Sequence, residues 1–425
     1  MLEETHDSSE IVERVAALDI GKAEVVCCAR VPGQRPGTRA QEVSTHSTMT
    51  RSLQALADRL LQLRVTRVVM EATSDYWKPV FYLLEAAGAG VWEVWLVNAR
   101  DVKHLPGRPK SDKIDAVWLC KIAERGMIRP SFVPPAPLRR LRDLTRYRID
   151  LIGERGREKN RVEKLLEDAG IKLSVVASDI FGVSGRDMLD ALVAGERDPR
   201  VLADLARTRM RAKLADLREA FTGRFTDHHA FLLSRMLTHI DALDADIAAV
   251  DARIEELIVP FADAVARLDV IPGIGPVAAQ TIIAEIGVDM TRFPTAAHLA
   301  SWAKFSPIIS ESAGRKKGKN ATGHGNRYLA RALGEAVAGA ARTNTFLGKR
   351  YRRLARRRGK KKAIVAVGRS ILVIIWHLLA DPDAPFIDLG PDHYDTRAGT
   401  QRAIRNHVRR LEALGYTVTL QPTAA

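Results

Sequence analysis

The sequence predicts an α/β domain at the N-terminus followed by an all-α remainder. Between residues 14 and 97, short apolar runs bounded by turn residues alternate with stretches of helical spacing. From residue 138 onward the apolar positions recur mostly at intervals of three and four residues. The length of 425 residues fits two or three domains, and 46% hydrophobic residues are enough for a core in each.

The N-terminal region contains five predicted strands before its last helix. Two strands are joined by a tight turn at Gly21-Lys22, and Asp75 and Ser111 are read as N-caps of helices. The predicted elements are strands 14–20, 23–31 and 40–46, helix 50–64, strand 67–72, helix 76–87, strand 93–97 and a helix from Ser111. The order βββαβαβα is that of an RNase H-like fold.

Four acidic residues fall where this fold would bring them together. Asp19 and Glu71 end two apolar strands, and Asp112 and Asp115 lie three residues apart in a helical pattern, so they point the same way. Clustered carboxylates repel one another unless cations lie between them, and hard divalent ions prefer oxygen ligands. The set therefore predicts a site for two Mg²⁺ (or Mn²⁺) about 4 Å apart, suited to phosphodiester chemistry. Each acid taken alone could equally be a solvated or capping carboxylate.

A basic segment, residues 103–110, leads into the acidic helix. It could hold a phosphate beside the metal ions, or it could be a solvated connection.

The middle of the chain predicts long helices. Residues 138–169 form a basic amphipathic pattern, and from Met236 to Leu257 the apolar residues follow a heptad seam. We expect long helices over 207–258 that pair with 138–169. The pairing could be within the chain, between subunits, or both.

A hairpin between two helices is predicted at residues 268–279. Gly273 and Gly275 allow a tight turn and a close approach of backbone to a ligand, as in a helix-hairpin-helix motif. Amides that begin the following helix can then contact a DNA phosphate without reading bases. An ordinary turn between core helices is the alternative.

The following region combines serines with a strongly basic tract. A serine in the segment 303–317 could attack phosphorus if a base or a metal ion activates it, although most loop serines are merely polar. The stretch from Arg315 to Lys362 carries 17 Lys and Arg against one acid, Glu335. It predicts phosphate binding, with a solvated helix face or a localisation-like tract as the alternatives. The DNA-contacting candidates are Gly273, Gly275, Arg315, Lys316, Lys317, Arg327, Arg356, Arg357 and Arg358.

Composition restricts the classes of function. The net charge of +15 indicates a polyanionic partner, and the 315–362 tract accounts for it. The three cysteines provide neither a disulfide framework nor a zinc site, which fits a reducing cytoplasm. The acidic N-terminus is not a signal peptide, and the apolar segment 363–380 contains Arg369 and His377, so we expect a buried helix and no membrane span.

The chain resembles the DEDD-type insertion-sequence transposases from about residue 14 to residue 380. The resemblance rests on a conjunction of four motifs. They are Ala17-Leu18-Asp19-Ile20, Val69-Met70-Glu71-Ala72, Asp112-x-x-Asp115, and the block from Ile271-Pro-Gly-Ile-Gly-Pro to Gly325-Asn326-Arg327-Tyr328-Leu329.

This resemblance implies a DNA recombinase that works with a structured bridge RNA on the ends of its element and on a target. The N-terminal domain would be RuvC-like, similar to Holliday-junction resolvases, with Asp19, Glu71, Asp112 and Asp115 as the metal-binding tetrad. A C-terminal serine would form a covalent phosphoserine link to DNA. Family members place it in a Ser-Gly or Ser-Ser-Gly loop, whereas this chain has Ser310-Glu311-Ser312-Ala313-Gly314, so Ser312 is favoured over Ser310, with Ser306 third.

In the family the tetrad and the serine come from different subunits, so a homo-oligomer from dimer to tetramer is implied. The expected domains are 14–130 (RNase H-like), 131–258 (helical coiled coil), 259–380 (C-terminal transposase domain with helix-hairpin-helix) and 381–425 (a tail without assigned function). Two other functions stay open. A metal-dependent junction nuclease would need the acids alone, and a nucleic-acid-binding protein with an inactive site would need the basic tract alone.

Overall fold

In the computed structural model the chain divides into two compact units, of which the first ends at Val133 and the second begins at Pro134. The structure describes residues 12–35, 37–72, 74–98, 112–307, 310–312, 315–317, 322–323, 325–393 and 400–420. The first unit is α/β and the second is mostly helical, as the sequence predicts.

The first unit has the predicted order βββαβαβα. Its elements are β1 (Val15–Ile20), β2 (Glu24–Pro32), β3 (Arg39–Ser47), α1 (Thr50–Gln62), β4 (Arg67–Glu71), α2 (Trp77–Ala87), β5 (Glu93–Val97) and α3 (Asp112–Glu124). The five strands form one sheet in the order β3-β2-β1-β4-β5. Strand β1 pairs antiparallel with β2 and parallel with β4, so the first and fourth strands lie side by side as expected.

Each face of the sheet packs against helices. Residues of even number on β1, such as Ala16 and Leu18, join the core under α1 and α2. Residues of odd number, Val15 and Ala17, join a second core with Ala116 and Cys120 of α3. Because side chains alternate along a strand, the even-numbered residues of β1 face α1 and α2, and the odd-numbered residues face α3.

Two predicted caps have different outcomes. Helix α2 begins after Tyr76, which makes no side-chain cap hydrogen bond, so Asp75 as an N-cap is wrong. The Asp75 carboxylate instead forms an ion pair with Lys78 at 2.9 Å. Ser111 lies outside the described residues.

The second unit is built on two long helices, α4 (Ala136–Asp168) and α9 (Asp227–Ile258), which pack along each other within the chain. The heptad positions Ile240, Leu243, Ile247 and Ile254 are buried. The predicted seam is therefore confirmed from Met236 onward, and within this chain it is used for intramolecular pairing.

The predicted long helix over residues 207–226 is wrong. This part and the residues before it form short helices, α5 to α8, over a separate core. Their bounds are Leu173–Val176, Val183–Val193, Pro199–Asp204 and Leu214–Ala220, with a 3₁₀ turn at Thr208–Lys213. Thr226 begins α9 with a capping box to His229, which stops the helical pattern from extending backward.

In the described part of residues 259–380, six further helices form the C-terminal bundle. They are α10 (Ala262–Asp269), α11 (Pro276–Ile286), α12 (Ala296–Trp302), α13 (Arg327–Ala340), α14 (Phe346–Arg358) and α15 (Lys360–Ala380), with 3₁₀ turns at Val259–Phe261 and Met290–Arg292. A hairpin of β6 (Ser310–Ser312) and β7 (Arg315–Lys317) stands between α12 and α13. Helix α15 is long and apolar enough to cross a membrane, but its residues Val367, Ile371 and Ile375 are fully buried in this bundle. That packing is the one expected of a core helix.

Among the described residues of the tail, Thr400–Glu412 form helix α16. Residues 416–420 are not a strand, contrary to the prediction, because neither described sheet places a strand beside them.

Candidate functional site

Asp19 and Glu71 occupy neighbouring positions on two parallel strands. The pairing of β1 with β4 runs from Val15 opposite Arg67 to Leu18 opposite Met70, and the next step brings Asp19 level with Glu71. Adjacent strands are about 4.8 Å apart. Asp19 and Glu71 continue the odd-numbered positions of β1 and β4, whose residues Ala17 and Val69 lie in the core under α3. Because side chains alternate along a strand, both acids face that helix. Glu71 is buried, with 8% of its surface exposed.

Helix α3 supplies the other two acids. Its sheet-facing residues Ala116, Leu119 and Cys120 are buried in the same core. Asp115 is half-buried and lies one turn before Leu119, which places it where the sheet-facing stripe continues toward the N-terminus of the helix. Asp112 is the first residue of α3, and its side chain lies outside the described part of the chain.

Helix α3 is held in place by ion pairs at its far end. The buried carboxylate of Glu124 binds Arg30 at 2.7 Å and Arg39 at 2.6 Å, which ties the helix to β2 and β3. The N-terminal end of α3, which bears Asp112 and Asp115, therefore belongs to a helix that is fixed to the sheet.

The donor set is suited to a hard divalent ion. Asp19, Glu71 and Asp115 offer carboxylate oxygens on one side of the sheet, and such ions prefer oxygen. Each of the three also makes an interaction within the chain. Among the described side chains, no three from Asp, Glu, His or Cys form a ready metal cluster.

The serine region is a β-hairpin rather than an open loop. Ser310 pairs with Lys317, and Ser312 pairs with Arg315. Ser312 is therefore the last residue of β6, and a cationic residue lies opposite it. The side chains of this hairpin lie outside the described part, including those of Arg315, Lys316 and Lys317. Ser306 differs from both, because its hydroxyl oxygen is buried and has no hydrogen-bond partner among the described residues.

Packing explains the first glycine of the turn between α10 and α11. Gly273 has a φ of 92°, which favours glycine, and a Cβ there would lie 2.0 Å from the carbonyl oxygen of Ala336 on α13. The close approach that the sequence predicts is thus made to a neighbouring helix. Gly275 is the N-cap of α11, and a Cβ there would meet open space. The amides that follow Gly275 remain candidates for a phosphate.

Two of the predicted basic sites can be described. Arg356, Arg357 and Arg358 are exposed in the last turn of α14, where cations also interact favourably with the helix dipole. Arg327 is exposed and lies over the ring of Tyr328, with its guanidinium 3.5 Å from Asp150. The basic segment 103–110 lies outside the described residues.

Sequence reasoning missed a buried polar group in the second unit. Glu285 is fully buried at the end of α11, and Arg146 of α4 binds it at 2.7 Å. The signal in the sequence is a single acid inside the apolar run Thr281-Ile282-Ile283-Ala284-Glu285-Ile286. A buried charge requires a partner, but the sequence does not say which of 66 Lys and Arg provides it.

Two family profiles match the chain. One, described as "Transposase" and covering the DEDD domain of IS110 elements, matches residues 16–171. The other, "Transposase IS116/IS110/IS902 family", matches residues 265–352. Together they cover more than half of the chain, and they contain the four acids and the serine hairpin.

Individual relatives are consistent with these profiles. A "Probable family 20 transposase" of Pseudomonas aeruginosa is 26% identical over 68% of this chain and 77% of its own length. The "Insertion element IS900 uncharacterized 42 kDa protein" of Mycobacterium paratuberculosis is 28% identical over 70% of this chain and 79% of its own. A shorter match, 32% identical over 26% of this chain, is to an IS110 protein of Streptomyces coelicolor. The chain is a transposase of the IS110/IS116 family of insertion sequences.

Proposed function

We propose that this transposase cleaves and rejoins DNA strands in a Mg²⁺-dependent reaction that passes through a phosphoserine link. The observation that carries the proposal is the juxtaposition of Asp19 and Glu71 on paired strands, facing the helix that bears Asp112 and Asp115. The same N-terminal unit has the RNase H-like order of strands and helices.

The four acids would hold the metal. The four acids belong to two strands and one helix, so the folded unit, rather than any one segment, would set the spacing of their carboxylates. A divalent ion held there supplies electrostatic stabilisation of the charge that develops on the phosphate. Mn²⁺ would serve as well as Mg²⁺, because both accept carboxylate oxygens.

Ser312 would be the nucleophile. Its hydroxyl oxygen forms a bond to phosphorus while the bond from phosphorus to one deoxyribose oxygen breaks. The serine proton leaves to a base, and the departing sugar oxygen takes up a proton. A strand hydroxyl then attacks the phosphoserine and releases the serine, so no phosphodiester bond is lost overall. The position of Ser312 at the tip of a hairpin, opposite Arg315, suits presentation to a DNA backbone.

Three further features belong to the same proposal, and they rest on the resemblance to this family. A structured RNA encoded beside the gene would direct the enzyme to element ends and target. A homo-oligomer, from dimer to tetramer, would bring the serine of one subunit to the acids of another. The protein would act in the cytoplasm on nucleoid DNA, without a membrane partner.

Replacing the nucleophile tests the proposal directly. Ser312→Ala should abolish both recombination and the covalent protein–DNA adduct while DNA affinity stays unchanged, because only the attacking oxygen is removed. Adduct is measured by denaturing gel electrophoresis of labelled DNA after incubation with Mg²⁺. Ser310→Ala, two residues away on the same strand, is the matched control and should keep adduct formation.

Two results would contradict the proposal. If Ser312→Ala retains the adduct and Ser310→Ala loses it, Ser310 is the nucleophile. If the wild-type protein cuts DNA with Mg²⁺ but forms no adduct, water is the nucleophile and the protein acts as a nuclease.

A further inference from the structure

The serine hairpin β6–β7 is followed, nine residues after Lys317, by an asparagine that has two separate tasks. The side-chain oxygen of Asn326 accepts hydrogen bonds from the amides of Tyr328, at 3.0 Å, and Leu329, at 3.2 Å. It thereby caps helix α13. The side-chain nitrogen of Asn326 donates to the carboxylate of Glu285. One amide therefore both starts α13 and joins it to the end of α11.

Glu285 is itself held by helix α4. Arg146 donates to both carboxylate oxygens, at 2.7 and 2.8 Å, in a bidentate pair. Arg142 donates to the carbonyl oxygens of Ala284, at 2.9 Å, and Glu285, at 2.6 Å, so it caps the end of α11. Because Glu285 is fully buried, these hydrogen bonds fix its position with little freedom.

A second link joins α4 to the first turn of α13. The hydroxyl of Tyr328 donates to Asp150 at 3.0 Å, and the guanidinium of Arg146 lies over the tyrosine ring at 4.9 Å. Arg142, Arg146 and Asp150 are four residues apart, so they share one face of α4. That face makes polar contacts to the end of α11 and to the first turn of α13.

The chain is also anchored on the other side of the hairpin. Phe305, five residues before Ser310, is buried against Gly368 of α15, where a Cβ would lie 2.5 Å from its ring. Gly325, just before Asn326, packs so closely that a Cβ would lie 2.9 Å from the carbonyl oxygen of Ala303. The two ends of the segment that carries the hairpin are thus fixed close to one another and to α12.

We propose that Asn326 and Tyr328 are positioning residues of the strand-cleavage reaction. Through Glu285 and Asp150 they would fix the chain that follows the hairpin onto α4, so that the long helix helps to determine where the hairpin serine is presented. This inference rests on the proposed function of the hairpin. In this role the two residues would act through the hairpin and not on the reacting atoms themselves.

The substitution Asn326→Asp separates this role from simple stability of α13. Aspartate caps a helix about as well as asparagine, but it has no N–H to donate and brings a second carboxylate against Glu285. Adding Glu285→Gln to Asn326→Asp restores one amide and one carboxylate in exchanged positions, with the same net charge next to Arg146. The single variant should break the link and the double variant should restore it.

The rate of adduct formation at saturating DNA is the first readout. A misplacement of about 1 Å can slow a reaction about a hundredfold, and we expect a loss of that order in Asn326→Asp with DNA affinity unchanged. Tyr328→Phe, which removes only the hydroxyl, should lower the rate in the same way. Tyr147→Phe loses the same group from an exposed tyrosine of α4 and is the matched control, with the wild-type rate expected.

Amide hydrogen exchange of β6 and β7 is the second readout, and it does not depend on the chemistry. We expect faster exchange in the hairpin of Asn326→Asp, unchanged exchange in α9, and recovery in the double variant. Wild-type adduct and exchange rates in a folded Asn326→Asp would overturn the inference and leave the proposed function standing. If the wild type forms no adduct, the proposed function is overturned. Hydrogen exchange of β6 and β7 would then be the measurement that decides whether Asn326 holds the hairpin in place.

Discussion

A buried carboxylate such as Glu285 stabilises the fold only while its partners are present. Arg146, Arg142 and Asn326 together satisfy it at the meeting point of three helices. Burial opposes the charged form of Arg146, but the hydrogen bonds and charge of Glu285 raise the pKa of Arg146 above its ordinary value. Removing Glu285 therefore takes the ionic partner away from both Arg146 and Arg142 at this meeting point.

Glu285→Ala should lower the free energy of unfolding by about 3–5 kcal/mol, because two arginines lose their buried partner. Urea denaturation followed by circular dichroism measures the change. Glu335→Ala is the control, since Glu335 is also paired, with Arg331 at 2.9 Å, but is exposed on α13. That surface pair should contribute no more than about 0.5 kcal/mol. Equal losses in the two variants would show that burial of Glu285 is not what makes its pairing important.

The two glycines of the turn between α10 and α11 should respond differently to the same change. Gly273→Ala forces a Cβ into the backbone of α13 at a φ of 92°, and we expect a loss of about 3 kcal/mol or more in the free energy of unfolding. Gly275→Ala meets open space at a φ of −110° and should change stability by less than about 1 kcal/mol. Thermal unfolding of both variants measures this, and similar melting temperatures would mean that the packing of Gly273 on α13 is absent in solution.

Among the elements, the prediction from sequence succeeded where the apolar pattern is unambiguous. Strand β1 is a short, almost continuously buried run, and helix α1 carries its buried residues Leu53, Leu56, Ala57 and Leu60 at helical intervals, so the bounds of both were confirmed to within two residues. The region 207–226 failed because its apolar spacing is shared by a series of short helices. Gly223 interrupts it with a close approach, since a Cβ there would lie 2.6 Å from the carbonyl oxygen of Ala169. Packing between distant residues of this kind leaves no periodic trace in a sequence.

The candidate site was predictable to a similar degree. The spacing of Asp112 and Asp115, and the ends of two strands at Asp19 and Glu71, follow from local patterns alone. The Glu124 ion pairs that fix α3, and the link from Glu285 to Asn326, depend on residues 41 to 94 positions apart. Such pairs are chosen by the fold, and a single sequence does not distinguish them from other possible partners.

At the scale of one helix, α3 offers a test of the metal site. Asp115→Ala should abolish Mg²⁺-dependent cleavage, because the proposed metal site would lose one of its ligands. It should also reduce the rise in melting temperature that Mg²⁺ produces, since an ion stabilises only the state that binds it. Asp58→Ala, an exposed acid on α1, is the control and should preserve both effects. A normal Mg²⁺ response in Asp115→Ala would exclude this residue from the site.

At the scale of the whole molecule, charge is separated along the chain. The tract from Arg315 to Lys362 holds the excess of Lys and Arg, whereas the first unit places acids at its candidate site. If the proposed function is correct, the basic tract would supply affinity for the DNA backbone, and the acids, once they hold cations, would not repel it. The charge distribution thus suits an enzyme that acts on a polyanion.

The salt dependence of DNA binding tests this division. Replacing Arg356, Arg357 and Arg358 together by Gln should weaken DNA binding and lower the slope of log affinity against log salt, by up to about 0.9 for each phosphate that the protein no longer neutralises. Fluorescence anisotropy with a labelled duplex at several salt concentrations measures the slope. The matched control replaces Arg209, Arg211 and Lys213, which are exposed elsewhere in the second unit, and removes the same charge. If the basic end of α14 touches phosphate, only the first variant flattens the slope. An equal change in both would show that net charge alone attracts DNA, and an unchanged slope in the first would show that α14 does not touch the DNA backbone.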